Sequence, residues 1–138
     1  MPDVELINES GQSLQLRHII SERVDSPTLV FRTSALGCDI CLQEEMKHIS
    51  NYVSEIKNVV ILASDYNVRE LKILKSTIEF DFEIYQSSQT GIPFDKEYNN
   101  LFTFIIDNTF IVKDFFVPEK TLPELSQGYY KAISSKYW

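Results

Sequence analysis

The chain has 138 residues and a mass of 16.0 kDa, which fits a single domain over residues 1–138 and leaves no room for two. Lys and Arg number 13 against 20 Asp and Glu, for a net charge of −7 and a pI near 4.8. That balance excludes a nucleic-acid partner, which needs clustered positive charge to displace counterions. At 43% hydrophobic and 12% aromatic, with four Gly and five Pro, the chain can bury a core and is not globally disordered.

The first segment, Val4 to Leu16, reads as a hairpin, with Leu14 and Leu16 alternating with polar residues and Glu9-Ser10-Gly11 as its turn. After Pro27, the β-branched and apolar run Thr28 to Thr33 predicts a buried strand, ending in Ser34-Ala35-Leu36-Gly37. From Cys41 to Ile56 the period turns helical, with Leu42, Met46, Ile49, Val53 and Ile56 on one face and Lys47, Asn51, Ser54 and Glu55 on the other. Asn58 to Ala63 predicts a short apolar strand. Its run Val59-Val60-Ile61-Leu62-Ala63 is the longest clean apolar stretch, far short of the roughly 20 residues that cross a bilayer. No membrane span is expected, and Met1-Pro2-Asp3 opens without a signal peptide.

Val68, Leu71, Leu74 and Ile78 fit one face of a second helix, and a strand follows around Phe82 to Tyr85. A polar connection through Gly91-Ile92-Pro93 leads to paired strands, Leu101 to Asp107 and Phe110 to Val117, joined by Asp107-Asn108-Thr109. A last helix is predicted from Leu122 to Tyr137, with Leu122, Leu125, Tyr129 or Tyr130, Ile133 and Tyr137 inward. Its tyrosines and Trp138 are read as packing that helix onto a sheet, with an interaction patch as the alternative. A hairpin, then βαβαβ, then ββα indicates an α/β sandwich around a central mixed sheet.

Two cysteines are present, Cys38 and Cys41. A bridge across so short a loop removes little unfolded-chain entropy, so the pair is a poor staple and invites a redox reading. It lies where a buried strand hands over to an amphipathic helix. Unpaired N–H groups and the helix dipole there favour an anion, lowering the pKa of the first thiol. Cys38 is then the nucleophile and Cys41 the resolving thiol that attacks the mixed disulfide.

The chain resembles the thioredoxin-like superfamily, in particular extracytoplasmic thiol–disulfide oxidoreductases of the TlpA and ResA type and small thioredoxin-like proteins of Bacteroides-type bacteria. The resemblance rests on the Glu5 to Leu16 hairpin, on Leu29-Val30-Phe31-Arg32 leading to Cys38-Asp39-Ile40-Cys41, on Phe104-Ile105-Ile106-Asp107, and on Phe116-Val117-Pro118-Glu119-Lys120. It implies a thioredoxin-like sandwich with an N-terminal β-hairpin and disulfide exchange with a protein substrate. It also implies a redox partner that recycles the dithiol, no metal or organic cofactor, and a periplasmic or otherwise extracytoplasmic location, with or without a membrane tether ahead of residue 1.

The chain departs from that pattern at three places. Gly37 stands where an aromatic precedes the first Cys, Met46 where a Pro kinks the helix, and Leu101 where a cis-Pro faces the dithiol. These departures keep a second reading open, a non-catalytic thioredoxin-fold binding module with a static or vestigial Cys pair and a Leu101 edge that docks a partner.

Two charged residues are candidates for supporting roles. Arg32, six positions before Cys38, occupies the place of a buried acid in thioredoxin; it is read either as favouring a thiolate or as an edge residue paired with a surface carboxylate. Glu45 and His48 share the Cys41 side of the helix. Glu45 is read as a proton acceptor for Cys41, or, together with His48, as a solvated flank. A zinc site on Cys38, Cys41 and His48 lacks a fourth ligand, because His18 is remote in sequence.

Overall fold

The computed structural model describes residues 3–23, 26–34, 39–52, 56–78, 82–87, 101–119 and 121–138. Cys38, Gly37, Val53 and Pro93, all named above, lie outside the described residues. The described elements are β1 (Glu5–Ile7), β2 (Ser13–Gln15), α1 (Leu16–Ser21), β3 (Thr28–Ser34), α2 (Asp39–Ser50), β4 (Val59–Ser64), α3 (Val68–Thr77), β5 (Glu83–Ser87), β6 (Phe102–Ile106), β7 (Val112–Phe116) and α4 (Pro123–Tyr137).

The seven strands form one sheet in the order β2-β1-β5-β4-β3-β6-β7. β3, β4 and β5 are parallel neighbours, and the others join antiparallel, so the sheet is mixed as expected. The crossovers β3–α2–β4 and β4–α3–β5 step in one direction across the sheet, which puts α2 and α3 on one face. β3 and β4 are buried along nearly their whole length, which is why they read as continuous apolar runs rather than as alternating ones.

Side-chain alternation along the strands divides the core in two. Leu29, Phe31, Ile61 and Ile105 face α2, α3 and α4, meeting Leu42, Met46 and Ile49, Leu71 and Leu74, and Tyr130 and Ile133. Val30, Leu62, Phe102 and Phe104 face the other way, onto Leu6, Leu16, Ile19 and Ile20. Each fully buried aliphatic or aromatic side chain contributes about 1.5–3 kcal/mol.

Most elements match the sequence reading, and three differ. Leu16 opens α1 instead of ending the hairpin, because Leu16, Ile19 and Ile20 fill the i, i+3, i+4 spacing that seats one helical turn on the second core. The β1–β2 turn is organised by Asn8, whose Oδ1 accepts from the N–H groups of Ser10 and Gln12, both at 2.9 Å. Gly11 there has φ +80°, a conformation glycine adopts without strain. α2 stops at Ser50, and Ile56, beyond the helix, is still part of the core, its N–H on the Tyr52 carbonyl.

The third difference is the inner face of α4. Leu125 is 47% exposed and Leu122 also faces solvent, while Ser126, Tyr130, Ile133 and Ser134 are buried. A polar residue, Ser126, takes an inward position because a buried partner on α2 satisfies its hydroxyl. The far half of α4 is tied to β7. The Tyr129 hydroxyl donates to the Asp114 carbonyl at 2.6 Å, Lys136 Nζ approaches Asp114 Oδ2 at 3.1 Å, and Tyr137 donates to the same carboxylate. Tyr129 also stacks on Phe116, with ring centroids 4.6 Å apart. The terminal tyrosines therefore pack the helix onto the sheet.

Candidate active site

Ser34, Ser64 and Ser87 end the three parallel strands on one edge of the sheet, the edge where α/β sheets place their sites. β6 runs antiparallel to β3 and pairs Phe102 with Arg32, so Leu101 enters at that same edge. Ser34 Oγ donates to Asp65 Oδ2 at 3.3 Å and Ser64 Oγ to the Thr33 carbonyl at 3.4 Å. α2 begins at Asp39, a few residues beyond the end of β3, and its first turn carries Cys41.

Cys41 is half-buried and disulfide-bonded. One turn further along, Glu45 is only 5% exposed. Its carboxylate turns toward α4, where Ser126 Oγ donates to Oε2 at 2.9 Å and the Tyr130 hydroxyl donates to Oε1 at 2.6 Å. Among the described residues no basic group pairs with it. Glu45 is therefore not a solvated flank: its position beside the Leu42–Met46–Ile49 stripe turns it inward, and two hydroxyls answer its charge. His48 remains at the half-buried rim.

Tyr130 is wholly buried, with its ring 6.1 Å from that of Phe31. Burial, reinforced by the Glu45 charge, pushes its phenol well above the ordinary range. It is a hydrogen-bond donor at every physiological pH. Sequence reasoning missed Ser126 and Tyr130 as partners of Glu45; the available signal was their i, i+4 spacing on a helix that carries a serine among inward residues.

Arg32 is also 5% exposed and lies on β3, an interior strand, so the surface edge reading does not hold. Its register partners, Leu62 and Phe102, belong to the core facing α1, so its side chain leaves the sheet on the face opposite α2. Arg32 Nη1 donates to Ser87 Oγ at 2.5 Å and approaches the Leu62 carbonyl at 3.5 Å. The sheet thus separates Arg32 from Glu45. Leu101 is 5% exposed and packs within the core that holds Leu42 and Tyr130; its side chain is inside, not displayed along an edge. The bond that precedes it lies outside the described residues. Among the described residues no group of three or more His, Cys, Asp and Glu is placed to hold a metal ion.

No protein-family model and no curated protein matches the chain. Solved structures do. A thiol:disulfide interchange protein from Bacteroides sp. superposes with a TM-score of 0.59 at 14% identity, covering 97% of this chain and 85% of that one. A secreted disulfide oxidoreductase of Mycobacterium tuberculosis, homologous to the DsbE of E. coli, gives 0.59 at 10% identity, over 93% and 94% of the two chains. The fold is thioredoxin-like. Copper-bound ScoI of Arabidopsis thaliana shares it, with a TM-score of 0.61 at 13% identity over 97% and 98%. In this thioredoxin-like frame Cys41 sits in the first turn of α2, the helix that follows β3.

Proposed function

We propose that the chain is a thiol–disulfide oxidoreductase acting on protein disulfides. The observation that carries the reading is the disulfide-bonded Cys41 in the first turn of α2, at the carboxyl edge of the parallel strands. The sequence contains one other cysteine, Cys38, three positions earlier. In the reductive direction the Cys38 thiolate attacks a substrate disulfide, one substrate sulfur leaves as a thiolate, and a mixed disulfide forms. Cys41 then displaces the second substrate sulfur and closes the Cys38–Cys41 bond.

Glu45, one helical turn from Cys41, acts in this reading as the acceptor of its proton. Arg32 contributes from the opposite face of the sheet by tying the end of β5 to β3 and β4 beneath the site. Leu101 shapes the floor of the site from within the core. A second redox protein returns the pair to its starting state, and no metal or organic cofactor takes part. The thiol:disulfide interchange protein and the secreted oxidoreductase among the structural neighbours support a protein substrate and work outside the cytoplasm. No helix of the described residues is long and apolar enough to cross a membrane.

A redox titration against glutathione buffers, with free thiols counted by alkylation and mass shift, tests the proposal. A reversible two-electron transition between about −120 and −270 mV is expected, the span of known oxidoreductases. A pair still oxidised below about −300 mV, or one that never forms a bond in solution, refutes it and leaves the binding-module reading.

A further inference from the structure

A cleft lies at the edge of the sheet where the parallel strands begin, opposite the edge that carries the candidate active site. β1 pairs with β5 through only two residues, Leu6 with Ser87 and Ile7 with Gln86. Continued in that register, Asn8, Glu9 and Ser10 would stand opposite Tyr85, Ile84 and Glu83. The chain turns away instead, because Asn8 Oδ1 takes the N–H groups of Ser10 and Gln12, and the Asn8 carbonyl takes that of Gly11 at 3.0 Å. Glu83 to Tyr85 keep β4 on one side. On the other, among the described residues, no strand pairs with them. A space of about 250 Å³ opens there between Asn8–Ser10 and Glu83–Tyr85, with Leu14 and Lys75 completing its walls.

We infer that this cleft binds the carboxyl-terminal end of an extended peptide, its backbone along Glu83–Tyr85 and its terminal carboxylate on Lys75. Backbone groups of a strand point alternately to either side, so a run with a partner on one side only offers N–H and C=O groups to another strand. Extended peptides bind proteins by adding to such an edge. Three strand residues span roughly 10 Å at about 3.4 Å each, room for the last two or three residues of the ligand. Half-buried Leu14 supplies an apolar contact for a side chain.

The charges select the terminus. Lys75 lies in the last turn of α3 and donates to Glu9 Oε1 at 2.9 Å. That bond holds the ammonium between α3 and the turn, and it uses one of the three donors an ammonium carries. The others are left for a carboxylate. Of the two acids in the lining, Glu83 is already paired with Arg23, whereas Glu9 favours a basic side chain on the residue before the terminus. No cysteine borders the cleft, so the inference stands apart from the oxidoreductase reading.

Amide resonances of the isotope-labelled protein, titrated with acetyl-Val-Lys-Leu as the free acid or the amide, test it. The free acid should shift Ser10, Leu14 and Glu83 to Tyr85 and leave Cys41 and α4 in place. Amidation should weaken binding about tenfold or more, and Lys75→Met by a similar factor, the scale of one hydrogen bond to a charged group. Glu9→Gln releases Lys75 from its ion pair and should tighten binding about two- to fivefold. The amide should bind wild type and Lys75→Met alike, which a general loss of structure would not produce. Lengthening the peptide at its amino end separates two sources of the same chemistry. Retained affinity identifies the end of a protein chain and lost affinity a free short peptide, and either upholds the cleft.

No shift at these residues at about 1 mM peptide, or equal affinity for acid and amide, overturns the inference. The Lys75 and Glu9 side chains are half-exposed, so both variants keep the fold, which circular dichroism checks.

Discussion

Among the described residues, each face of the sheet buries one acidic or basic side chain, and the two are held differently. On the face covered by α1, Arg32 reaches across β4 to Ser87 at the end of β5 and approaches the Leu62 carbonyl. On the face covered by α2, α3 and α4, the Glu45 carboxylate is answered by two hydroxyls from a helix some 80 residues away, Ser126 and Tyr130. A guanidinium held within a sheet braces the strands, whereas a carboxylate shared between α2 and α4 ties the cysteine-bearing helix to its neighbour. Buried charge by itself says little about function. What answers the charge, and which side chain lies one turn away, says more.

The largest test of the comparison removes an aromatic from each face. Phe31→Ala and Phe104→Ala should each cost about 3–5 kcal/mol in denaturant unfolding, since both side chains are fully buried. Only Phe31→Ala, which empties the space against the Tyr130 ring, should also alter the alkylation rate of the reduced cysteines. Equal thiol reactivity in the two variants would erase the functional difference between the faces.

A finer test compares coupling within one face and across the sheet. A double-mutant cycle on Glu45→Gln and Tyr130→Phe should return about 1–3 kcal/mol of interaction, as expected for a buried hydrogen bond to a charged group. The cycle on Glu45→Gln and Arg32→Met should return less than about 0.5 kcal/mol. A large second coupling would mean that the sheet transmits the two charges to each other.

The smallest effect concerns a carboxylate at the rim. Hydrogen bonds from Lys113 and Thr109 hold Asp107 at a pKa of about 2, below the usual 3.8. A depressed acid adds stability that is fully present above its unfolded value and is lost as the pH falls through the folded one. The stability gap between wild type and Asp107→Asn should therefore be constant near neutrality and close between about pH 4 and pH 2. A gap that persists at pH 2 would show that the turn, not the charge, is what the substitution disturbs. The exposure of the Lys113 pair keeps the effect small.

Local pattern was enough for much of the molecule. The apolar runs at β3 and β4, the helical stripe through Leu42, Met46 and Ile49, the Asp107 turn and the C-x-x-C junction are all short-range features. Alternation, helical period and turn chemistry act over a few residues, so the element order, the mixed α/β class and the candidate cysteines are legible without the fold. α1 escaped because six residues carry too little periodicity to stand out from a hairpin strand.

The tertiary structure decided the rest. The inner face of α4 turned by about one residue because Ser126 found Glu45 across the helix pair. Glu45 and Arg32, which the sequence could only number relative to Cys38 and Cys41, proved to be buried and on opposite faces of the sheet. Whether a charged side chain is buried depends on partners brought from elsewhere in the chain, since desolvation is tolerated only where hydrogen bonds replace water. No pattern within α2 contains Ser126 or Tyr130; only the packing of α4 against it does.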